Sequence, residues 1–241
     1  MSFDEERKGT YAQLMAAYYP AKANGWLQMN ASSEFWSLFD NKSPVVVFGQ
    51  PGTGRSTFLM SFAVHCVTNC DQERVALVDC ASRLPINRLK QIAKDAAILK
   101  RILIFQPCSS WEFLETIDDL NLLSKPPPQI LIDSPFWNTQ LDDHMYLSYV
   151  FSKLREYFDS ATNSNATLIA VNAHRPSKGV GGLVPQYRAI LGRYFENWVL
   201  LEKTRGTHKA TVKFGSKEKL QVELWMTKTG LSTTDPRDPE N

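Results

Sequence analysis

The stretch "VFGQPGTGRSTFL", from Val47 to Leu59, places a glycine-rich turn between an apolar run and a segment with helical spacing. It follows the pattern G-x-x-x-x-G-K-[ST] from Gly49 to Ser56, except that Arg55 stands where the pattern has lysine. Glycines allow backbone N–H groups to surround phosphate oxygens, and the positive end of the following helix adds to the attraction. The stretch therefore predicts a strand, a phosphate-binding loop and a helix, in that order.

The candidate nucleotide-binding residues lie in this loop and at the end of a later apolar run. The hydroxyl of Ser56 or Thr57 is expected to bind Mg²⁺. The run "QILID" ends in Asp133, the acid expected to hold Mg²⁺ through water. ATP and Mg²⁺ are the cofactors that this pattern allows, with Ser56 and Asp133 at the metal. The predicted nucleotide-binding set is Gly49, Gly52, Thr53, Gly54, Arg55, Ser56, Thr57 and Asp133.

Arg55 changes what this loop is expected to do. The compact ammonium of lysine reaches the β- and γ-phosphates as a point charge, whereas the planar guanidinium of arginine is bulkier and aimed differently. Binding tolerates such a change more readily than the transition-state geometry does, because catalysis needs closer positioning. The loop alone therefore favours binding over turnover.

Length and composition are typical of a globular protein that buries one sizeable core. The chain has 241 residues, of which 43% are hydrophobic and 22% charged. The longest apolar runs are far too short to cross a bilayer, and the opening "MSFDEERKG" has no apolar signal core. We therefore expect a cytosolic or nuclear protein with no membrane contact.

The four cysteines do not predict a disulfide framework in a chain of this length. Cys66 and Cys70 are four residues apart and lie beside His65, a spacing that a metal site could use. No fourth ligand has suitable spacing, which favours buried thiols over zinc. We therefore expect no zinc site in this chain.

Charge is unevenly distributed, although the net charge is only +2. The segment from Cys108 to Asp159 has nine Asp/Glu against three Lys/Arg, and the segment from His174 to Lys219 has ten Lys/Arg against three Glu. A basic segment of this kind indicates an anionic partner for one face of the protein. An ordinary solvated surface is the alternative.

Strands and helices are predicted to alternate along the chain. Five short runs rich in β-branched residues have the pattern of strands buried on both faces of a parallel sheet: "PVVVFG", "RVALVDC", "RILIFQ", "QILIDSP" and "TLIAVNA". The alternation favours an α/β fold with a mostly parallel central sheet and helices on both faces. The predicted helices are Ser56–Val67, Ile86–Leu99, Trp111–Leu123 and Met145–Phe158.

The pattern changes after Asn197, where polar and apolar residues alternate. The runs "WVLLEKTRG", "HKATVKFG" and "LQVELWMTK", with Gly206 and Gly215 near the turns, predict antiparallel strands added to the sheet edge. We expect residues 1–43 to form a helical or irregular lead-in and residues 44–230 to form the core. The segment 231–241, which ends in "TTDPRDPEN", is predicted to be a disordered tail.

In the order and spacing of its motifs, from about Pro44 to Lys228, the chain resembles the RecA-like recombinases, and especially the eukaryotic paralogues that assist strand exchange. "GQPGTGRSTF" is similar to the family's phosphate loop and "VALVDCASRLPINRL" to its second strand. "ILIDSP" is similar to its Mg²⁺-binding strand, and "LIAVNAHRP" to the strand that opens its second DNA-binding loop. "KGVGGLVPQYRAILGRYFENWVLLEKTRG" resembles the end of that loop, a helix and the terminal strands. The resemblance implies a P-loop RecA-like core.

Departures from the family pattern bear on catalysis. The family's catalytic glutamate, which polarises the attacking water, falls on Ala81, and its phosphate-sensing glutamine falls on Ala173. Alanine has no group that could orient water or respond to a phosphate. The nearby Asp79 is expected to be structural. Together with Arg55, these departures imply that hydrolysis is absent or very slow, so we assign no catalytic residue.

The resemblance also implies a biological setting. About forty residues precede the first strand, and that size resembles the minimal paralogues of Shu-type complexes. Such a subunit would act in homologous recombination and in repair of double-strand breaks and replication forks, in meiosis or outside it. It would help the main recombinase load on single-stranded DNA, together with other RecA-like recombinase paralogues and a SWIM-domain zinc protein. The expected location is the nucleus, with the cytoplasm as a second compartment.

The basic segment from His174 to Lys219 contains the candidate DNA-binding residues. Cations in and after the Gly-rich stretch "HRPSKGVGG" would follow phosphates and give salt-dependent binding without sequence preference. A solvated loop is the alternative for the same residues. The candidates are Arg175, Lys178, Arg188 and Arg193.

Two other functions stay open at this point. The first is an active DNA-dependent ATPase that uses Arg55 and an unrecognised base. The second is a P-loop kinase for a small molecule, although no compact Arg-rich lid precedes "TLIAV". Trp26, Trp36 and Trp137 are candidate anchors for a partner protein. Packing in the core explains each of these tryptophans equally well.

Overall fold

The computed structural model describes Phe35, Trp36, Phe39 and the ranges 44–69, 74–136, 144–160, 168–174, 183–195, 197–203, 209–214, 221–227 and 230–232. Within these residues the strands are β1 (Val45–Gly49), β2 (Val75–Asp79), β3 (Ile102–Phe105), β4 (Gln129–Asp133), β5 (Leu168–His174), β6 (Val184–Pro185), β7 (Asn197–Lys203), β8 (Lys209–Phe214), β9 (Gln221–Thr227) and β10 (Gly230–Ser232). The helices are α1 (Arg55–Asn69), α2 (Ile86–Ala93), α3 (Ala96–Leu99), α4 (Ser110–Leu122), α5 (His144–Ser160) and α6 (Arg188–Tyr194).

A single sheet joins the strands in the order β10-β9-β8-β7-β1-β5-β4-β2-β3, and the short β6 pairs with β5. The six strands from β7 to β3 are parallel to one another. Parallel neighbours need crossover connections, and helices between the strands supply them. The predicted α/β fold with a mostly parallel central sheet is confirmed.

The parallel strands are buried on both faces because their alternate residues pack against different helices. Val45 and Val47 belong to the cluster that contains residues of α1 and α2. Val46 and Phe48 belong to a second cluster, which contains residues of α4, α5 and α6. This two-sided burial explains why β1, β2 and β4 are apolar runs rather than alternating sequences.

β7 is the strand at which the sheet changes from parallel to antiparallel pairing. It pairs with β8 in the antiparallel direction, as predicted for the strands after Asn197, but its other neighbour, β1, is parallel, with Val45 opposite Asn197. The reason is that α6 precedes β7 and acts as the crossover that a parallel neighbour requires. Antiparallel pairing begins only with β8 and continues through β9 and β10.

The helix predicted at Ile86–Leu99 is two helices, because the backbone reverses its handedness between them. Lys94 adopts a left-handed conformation with φ +58° and ends α2. Asp95 then caps α3, since its side chain accepts a hydrogen bond from the backbone N–H of Ala97 at 2.8 Å. Asp and Asn are preferred at this position because their side chains compete with the helical backbone bonds.

The C-terminal end of the core lies beyond the predicted boundary. Leu231 and Ser232, which the prediction assigned to the disordered tail, are part of β10. Leu231 donates its backbone N–H to the hydroxyl of Ser61 on α1 at 3.3 Å. Its side chain packs against the α1 cluster, so the last strand is held by the helix that follows the phosphate loop.

Aromatic residues of the predicted lead-in belong to the core. The ring of Phe35 lies 4.8 Å from that of Trp36, 5.4 Å from that of Phe39 and 6.0 Å from that of Phe58 on α1. Trp36 is only 7% exposed, so its ring serves packing rather than a partner. Trp26 and Trp137 lie outside the described residues.

No helix in the described ranges has both the length and the apolar character needed to cross a bilayer. The same ranges contain no cluster of three or more His, Cys, Asp and Glu side chains that could hold a metal ion. Cys66 is a buried thiol on α1, and Cys70 lies outside the described residues.

Replacing Phe35 with alanine is expected to lower the free energy of unfolding by about 3–5 kcal/mol, because a fully buried phenylalanine leaves a cavity among rings. Urea denaturation of the purified chain measures this loss. The matched control is Trp111→Ala on α4, where the side chain is 69% exposed and the expected change stays within about 0.5 kcal/mol. Equal effects of the two substitutions would mean that the residues around Phe35 do not stabilise the core.

Candidate nucleotide-binding site

The carboxyl ends of the parallel strands bring the predicted site residues to one edge of the sheet. Asp79 at the end of β2 is opposite Asp133 at the end of β4, and Asp133 is opposite Ala170 of β5. On the other side of β5, Asn172 is opposite Gly49 at the end of β1. Open α/β sheets bind ligands at this edge, outside the carboxyl ends of the strands.

The loop after β1 turns at two glycines with left-handed backbone conformations. Gly52 has φ +81° and Gly54 has φ +92°, angles that residues with a side chain rarely adopt. Between them, Thr53 donates its backbone N–H at 3.2 Å and its hydroxyl at 2.9 Å to the carbonyl of Gln50. These two hydrogen bonds close the turn, and its tip at Pro51 and Gly52 is exposed.

Gly49 is required by close packing rather than by its backbone conformation. A Cβ atom there would lie 2.5 Å from Oγ1 of Thr53 and 2.6 Å from the carbonyl oxygen of Leu201 on β7. A Cβ at Gly54 would lie 2.9 Å from Sδ of Met226 on β9. The glycines therefore let β7 and β9 approach the loop closely.

Helix α1 begins at the loop and directs its N-terminal end toward the sheet edge. Phe58 donates its N–H to the carbonyl of Gly54 at 2.8 Å, which closes the first helical turn. That turn contains no acidic residue. The N–H groups and the positive end of the helix dipole there favour an anion.

Asp133 is one of two buried acids at this edge, with only 5% of its surface exposed. Its carboxylate accepts hydrogen bonds from the hydroxyls of Ser56 and of Ser134, the latter at 3.1 Å. Burial raises the pKa of Asp133, the two hydroxyls and the charge of Arg55 act in the opposite direction, and Asp79 adds to the rise. Ser134 reaches the carboxylate from a left-handed backbone conformation with φ +54°.

The predicted Mg²⁺ pair, Ser56 and Asp133, is brought together by these contacts. The exposed turn and the start of α1 fit the phosphates of a nucleotide, and bound Mg²⁺ would neutralise charge that develops on them. Burial lowers the pKa of Arg55, and the charge of Asp133 acts in the opposite direction. Thr57 is half-buried at the next position of α1.

Asp79 is structural, as the sequence led us to expect. It is 1% exposed, and its Oδ2 accepts hydrogen bonds from the N–H of Leu84 at 2.7 Å and from Nε2 of Gln106 at 3.1 Å. These bonds hold the chain after β2 against the end of β3. One oxygen of this carboxylate is therefore engaged with two protein donors.

The position of the expected catalytic glutamate offers no acid or base. Ala81 is half-buried just after β2, and within residues 74–86 the only carboxylate is that of Asp79. The neighbouring Cys80 is buried, and burial, together with Asp133 and Asp79, raises the pKa of its thiol well above the usual range. Ala173 lies near the end of β5, where its backbone pairs with Pro185 of β6.

Two of the four candidate DNA-binding residues lie on α6. Arg188 and Arg193 are both exposed there. Because β6 pairs with the last residues of β5, α6 starts near the same sheet edge as the phosphate loop. The other two candidates, Arg175 and Lys178, lie outside the described residues.

Sequence reasoning missed Met226 and Gln106 as neighbours of the site. For Met226 a signal was present, because the alternation in β9 places it on the same face as the buried Val222 and Leu224. The contact with Gly54 follows from the strand order, which the alternation does not give. Gln106 follows a short strand and has no local pattern that would mark it as a partner of Asp79.

Comparison with known proteins identifies the type of fold. No protein-family model matches the chain, and no curated protein matches it. Many solved structures do match, among them the crystal structure of the RadB recombinase, with a TM-score of 0.66 and 17% sequence identity. The match covers 82% of this chain and 93% of that chain. The chain thus has a RecA-like fold, as its sequence led us to expect.

We expect Asp133→Asn to stabilise the protein near neutral pH. The folded-state pKa of Asp133 is raised, so its favourable protonated form is fully present below the unfolded-state value of about 3.9 and is lost as pH rises through the folded-state value. Asparagine is similar in shape and cannot ionise. The stability gain of the variant should therefore be absent in acid and grow with increasing pH.

Urea denaturation of both proteins across the acidic to neutral range measures the difference. Asp95→Asn is the matched control, because Asp95 is a cap at the exposed start of α3 and is far along the chain from the site. A gain for Asp133→Asn that is equal at all pH values would contradict the assignment of the raised pKa to this carboxyl.

Proposed function

We propose that this chain is a RecA-family subunit that acts in homologous recombination, where it binds a nucleotide with little or no turnover and helps the main recombinase load on single-stranded DNA. One observation carries this proposal. A RecA-like fold keeps the geometry of a phosphate-binding loop, while the residues after β2 supply no carboxylate that could polarise water.

Weak catalysis is supported by the hydrogen bonds that the two acids of the site already accept. Asp79 accepts hydrogen bonds from Leu84 and Gln106, and Asp133 accepts hydrogen bonds from two serine hydroxyls. Within the described residues, each of these carboxylates therefore already accepts two hydrogen bonds from protein donors. Ala81, at the position where the family has its glutamate, adds no group to replace them.

Binding of single-stranded DNA is supported by charge and by position. Arg188 and Arg193 are exposed on the helix that starts near the phosphate-loop edge. They belong to the basic segment from His174 to Lys219, which has ten Lys/Arg against three Glu. Such cations would contact phosphates and give binding that weakens with salt.

The proposed partners are other RecA-like recombinase paralogues, a SWIM-domain zinc protein and the main recombinase, and the proposed location is the nucleus. Affinity purification of the chain from its native cells, followed by mass spectrometry, tests this part. A recombinase paralogue among the retained proteins is expected. A set made up of metabolic enzymes would contradict the proposal and favour a kinase.

A DNA-dependent ATPase is the second candidate function. It is favoured by the contact between Ser56 and Asp133, which is the arrangement that a working Mg²⁺ site would use. Both candidate functions use the same fold and phosphate loop, so they differ only in whether bound ATP is hydrolysed.

Phosphate release from ATP is predicted to stay at background with or without single-stranded DNA. Arg55 and the missing glutamate remove contacts that the transition state requires. Arg55→Lys alone should not restore turnover, because Ala81 still provides no base. Steady-state phosphate release by the purified chain measures this, and DNA-stimulated turnover that disappears in Asp133→Ala would instead establish the ATPase.

Reversing Arg188 and Arg193 to glutamate is predicted to weaken binding of single-stranded DNA by the chain with its partners. Removing one phosphate interaction should reduce the slope of log K against log salt by about 0.7. Fluorescence anisotropy at several salt concentrations measures that slope. The matched control reverses Lys90 and Lys100, which are exposed cations on the opposite, α2 side of the sheet. An equal slope change in both double variants would mean that α6 has no special role.

A further inference from the structure

We infer that the outer surface of α4 and α5 is a docking site for a basic, amphipathic helix of a partner protein. This role goes beyond the proposed function and does not rest on it, because docking here needs neither nucleotide nor DNA. The site, called the α4–α5 surface below, combines exposed apolar side chains with acidic ones. Its members are Trp111, Glu115, Asp118 and Leu122 on α4, with Met145 and Tyr149 on α5.

Large apolar side chains are unusually exposed on this surface. Trp111 is 69% exposed, Leu122 82%, Met145 86% and Tyr149 52%. Of the other large hydrophobic side chains in the described ranges, none is more than 42% exposed. Single exposed apolar residues are normal, but a contiguous group of them marks an interaction site. Whether these four are contiguous depends on how the two helices lie.

The two helices lie side by side and run in the same direction. Each connects two parallel strands, α4 from β3 to β4 and α5 from β4 to β5, and both pack on the same face of the sheet. The hydroxyl of Tyr146 donates a hydrogen bond to the carbonyl of Ser110 at 2.7 Å. Because Trp111 follows Ser110 and Met145 precedes Tyr146, this bond brings the exposed ends of the two helices together. The apolar side chains therefore form one group.

On α4 the surface residues form a single stripe. Trp111, Glu115, Asp118 and Leu122 are spaced by four, three and four residues, which places them on one face of a helix. Asp119 is exposed beside the stripe, and α4 has four acidic residues and no basic one. The stripe thus has an apolar residue at each end and carboxylates between them.

The anchoring side chains are held in place before any partner binds. The indole Nε1 of Trp111 donates to Oε1 of Glu115 at 2.6 Å. On α5, Nζ of Lys153 lies 5.9 Å from the ring centroid of Tyr149 and bonds Glu156 at 3.1 Å. Side chains that are already ordered lose little entropy on binding, and tryptophan and tyrosine supply much of the binding energy at protein interfaces.

Charge determines which kind of partner fits. Carboxylates on this surface repel phosphate groups, which disfavours nucleic acid and anionic membranes, whereas they attract lysine and arginine. A basic amphipathic helix carries apolar and cationic side chains at the same spacing as the stripe. The eleven steps from Trp111 to Leu122 span about 16 Å, so about three turns of such a helix cover the stripe.

The first test uses a fluorescein-labelled peptide with leucine and lysine at helical spacing and measures its binding to the purified chain by fluorescence anisotropy. We expect saturable binding that weakens as salt rises, because salt screens exposed charges. A peptide with glutamate in place of every lysine should bind at least about tenfold more weakly, and so should a peptide with serine in place of every leucine.

Two double variants assign the binding to this surface. Trp111→Ala with Tyr149→Ala removes the aromatic anchors and should weaken binding of the leucine–lysine peptide at least about tenfold. Asp118→Lys with Asp119→Lys reverses charge without removing the Trp111–Glu115 bond, and it should weaken binding by a similar factor. Peptide affinity that is unchanged in both double variants, or that is equal for the lysine and glutamate peptides, overturns the inference.

Ile86→Ala is the matched control for the apolar contacts. Ile86 is an exposed apolar residue at the start of α2, which packs on the opposite face of the sheet, so this variant should bind the peptide as the natural chain does. Thermal unfolding of each variant shows whether the fold is retained.

The second test identifies the occupant in native cells. A photo-crosslinking p-benzoylphenylalanine in place of Tyr149 should cross-link to a segment of another protein that has net positive charge and apolar residues at helical spacing. Cross-linking to nucleic acid, to a second copy of this chain or to an acidic segment overturns the inference, as does the absence of any cross-link. Neither test uses nucleotide or DNA, so failure here is separate from failure of the proposed function.

Discussion

The placement of β1 between two parallel neighbours is the constraint on which the remaining structure depends. Both edges of β1 are paired, to β5 on one side and to β7 on the other, and both of its faces are buried. Parallel pairing on both sides forces crossovers, and the crossovers place helices over both faces of the sheet. The same geometry gathers the carboxyl ends of the strands at one edge. Gly49 shows how tight this arrangement is, since a side chain there would clash with the carbonyl oxygen of Leu201 on β7.

At that edge, the chemistry depends on whether the acidic side chains already have hydrogen-bond partners within the protein. Asp79 holds the chain after β2, and Asp133 accepts hydrogen bonds from the hydroxyls of Ser56 and Ser134. The positive end of α1 is suited to an anionic ligand and favours phosphates. The site thus combines a feature that binds anions with acids that are already engaged. This combination is the ground on which we propose a nucleotide that is bound with little or no turnover.

The sequence predicted the parts of the fold that depend on local burial. Strands such as β2 and β4 are apolar throughout because they are covered on both faces, and that property is visible in the residues themselves. The direction of β7 was not predictable from its alternation, since the direction depends on the crossover through α6. The break between α2 and α3 depends on one left-handed residue, Lys94, whose conformation helical spacing does not reveal.

The candidate site was predictable to a similar degree. Gly52, Gly54 and Asp133 were singled out because a phosphate loop and a strand-terminal acid have recognisable spacing, and their role in binding stays a prediction. The contact of Met226 with Gly54 was not, because it joins residues from opposite ends of the chain. The bonds that engage Asp79 were likewise hidden, because they come from a backbone N–H and from a glutamine with no pattern of its own.

The pairing of β1 also bears on how the chain reaches its fold. β1 is synthesised early, whereas its partners Leu168 and Asn197 follow much later, and β10 closes over α1 last of all. Contacts between such distant residues close large loops, which slows folding. Until β5 and β7 emerge, the apolar residues of β1 have no strand to pair with, and unpaired apolar strands promote aggregation. Interrupted synthesis or a truncated C-terminus should therefore damage the phosphate loop first, even though the loop lies in the N-terminal half of the core.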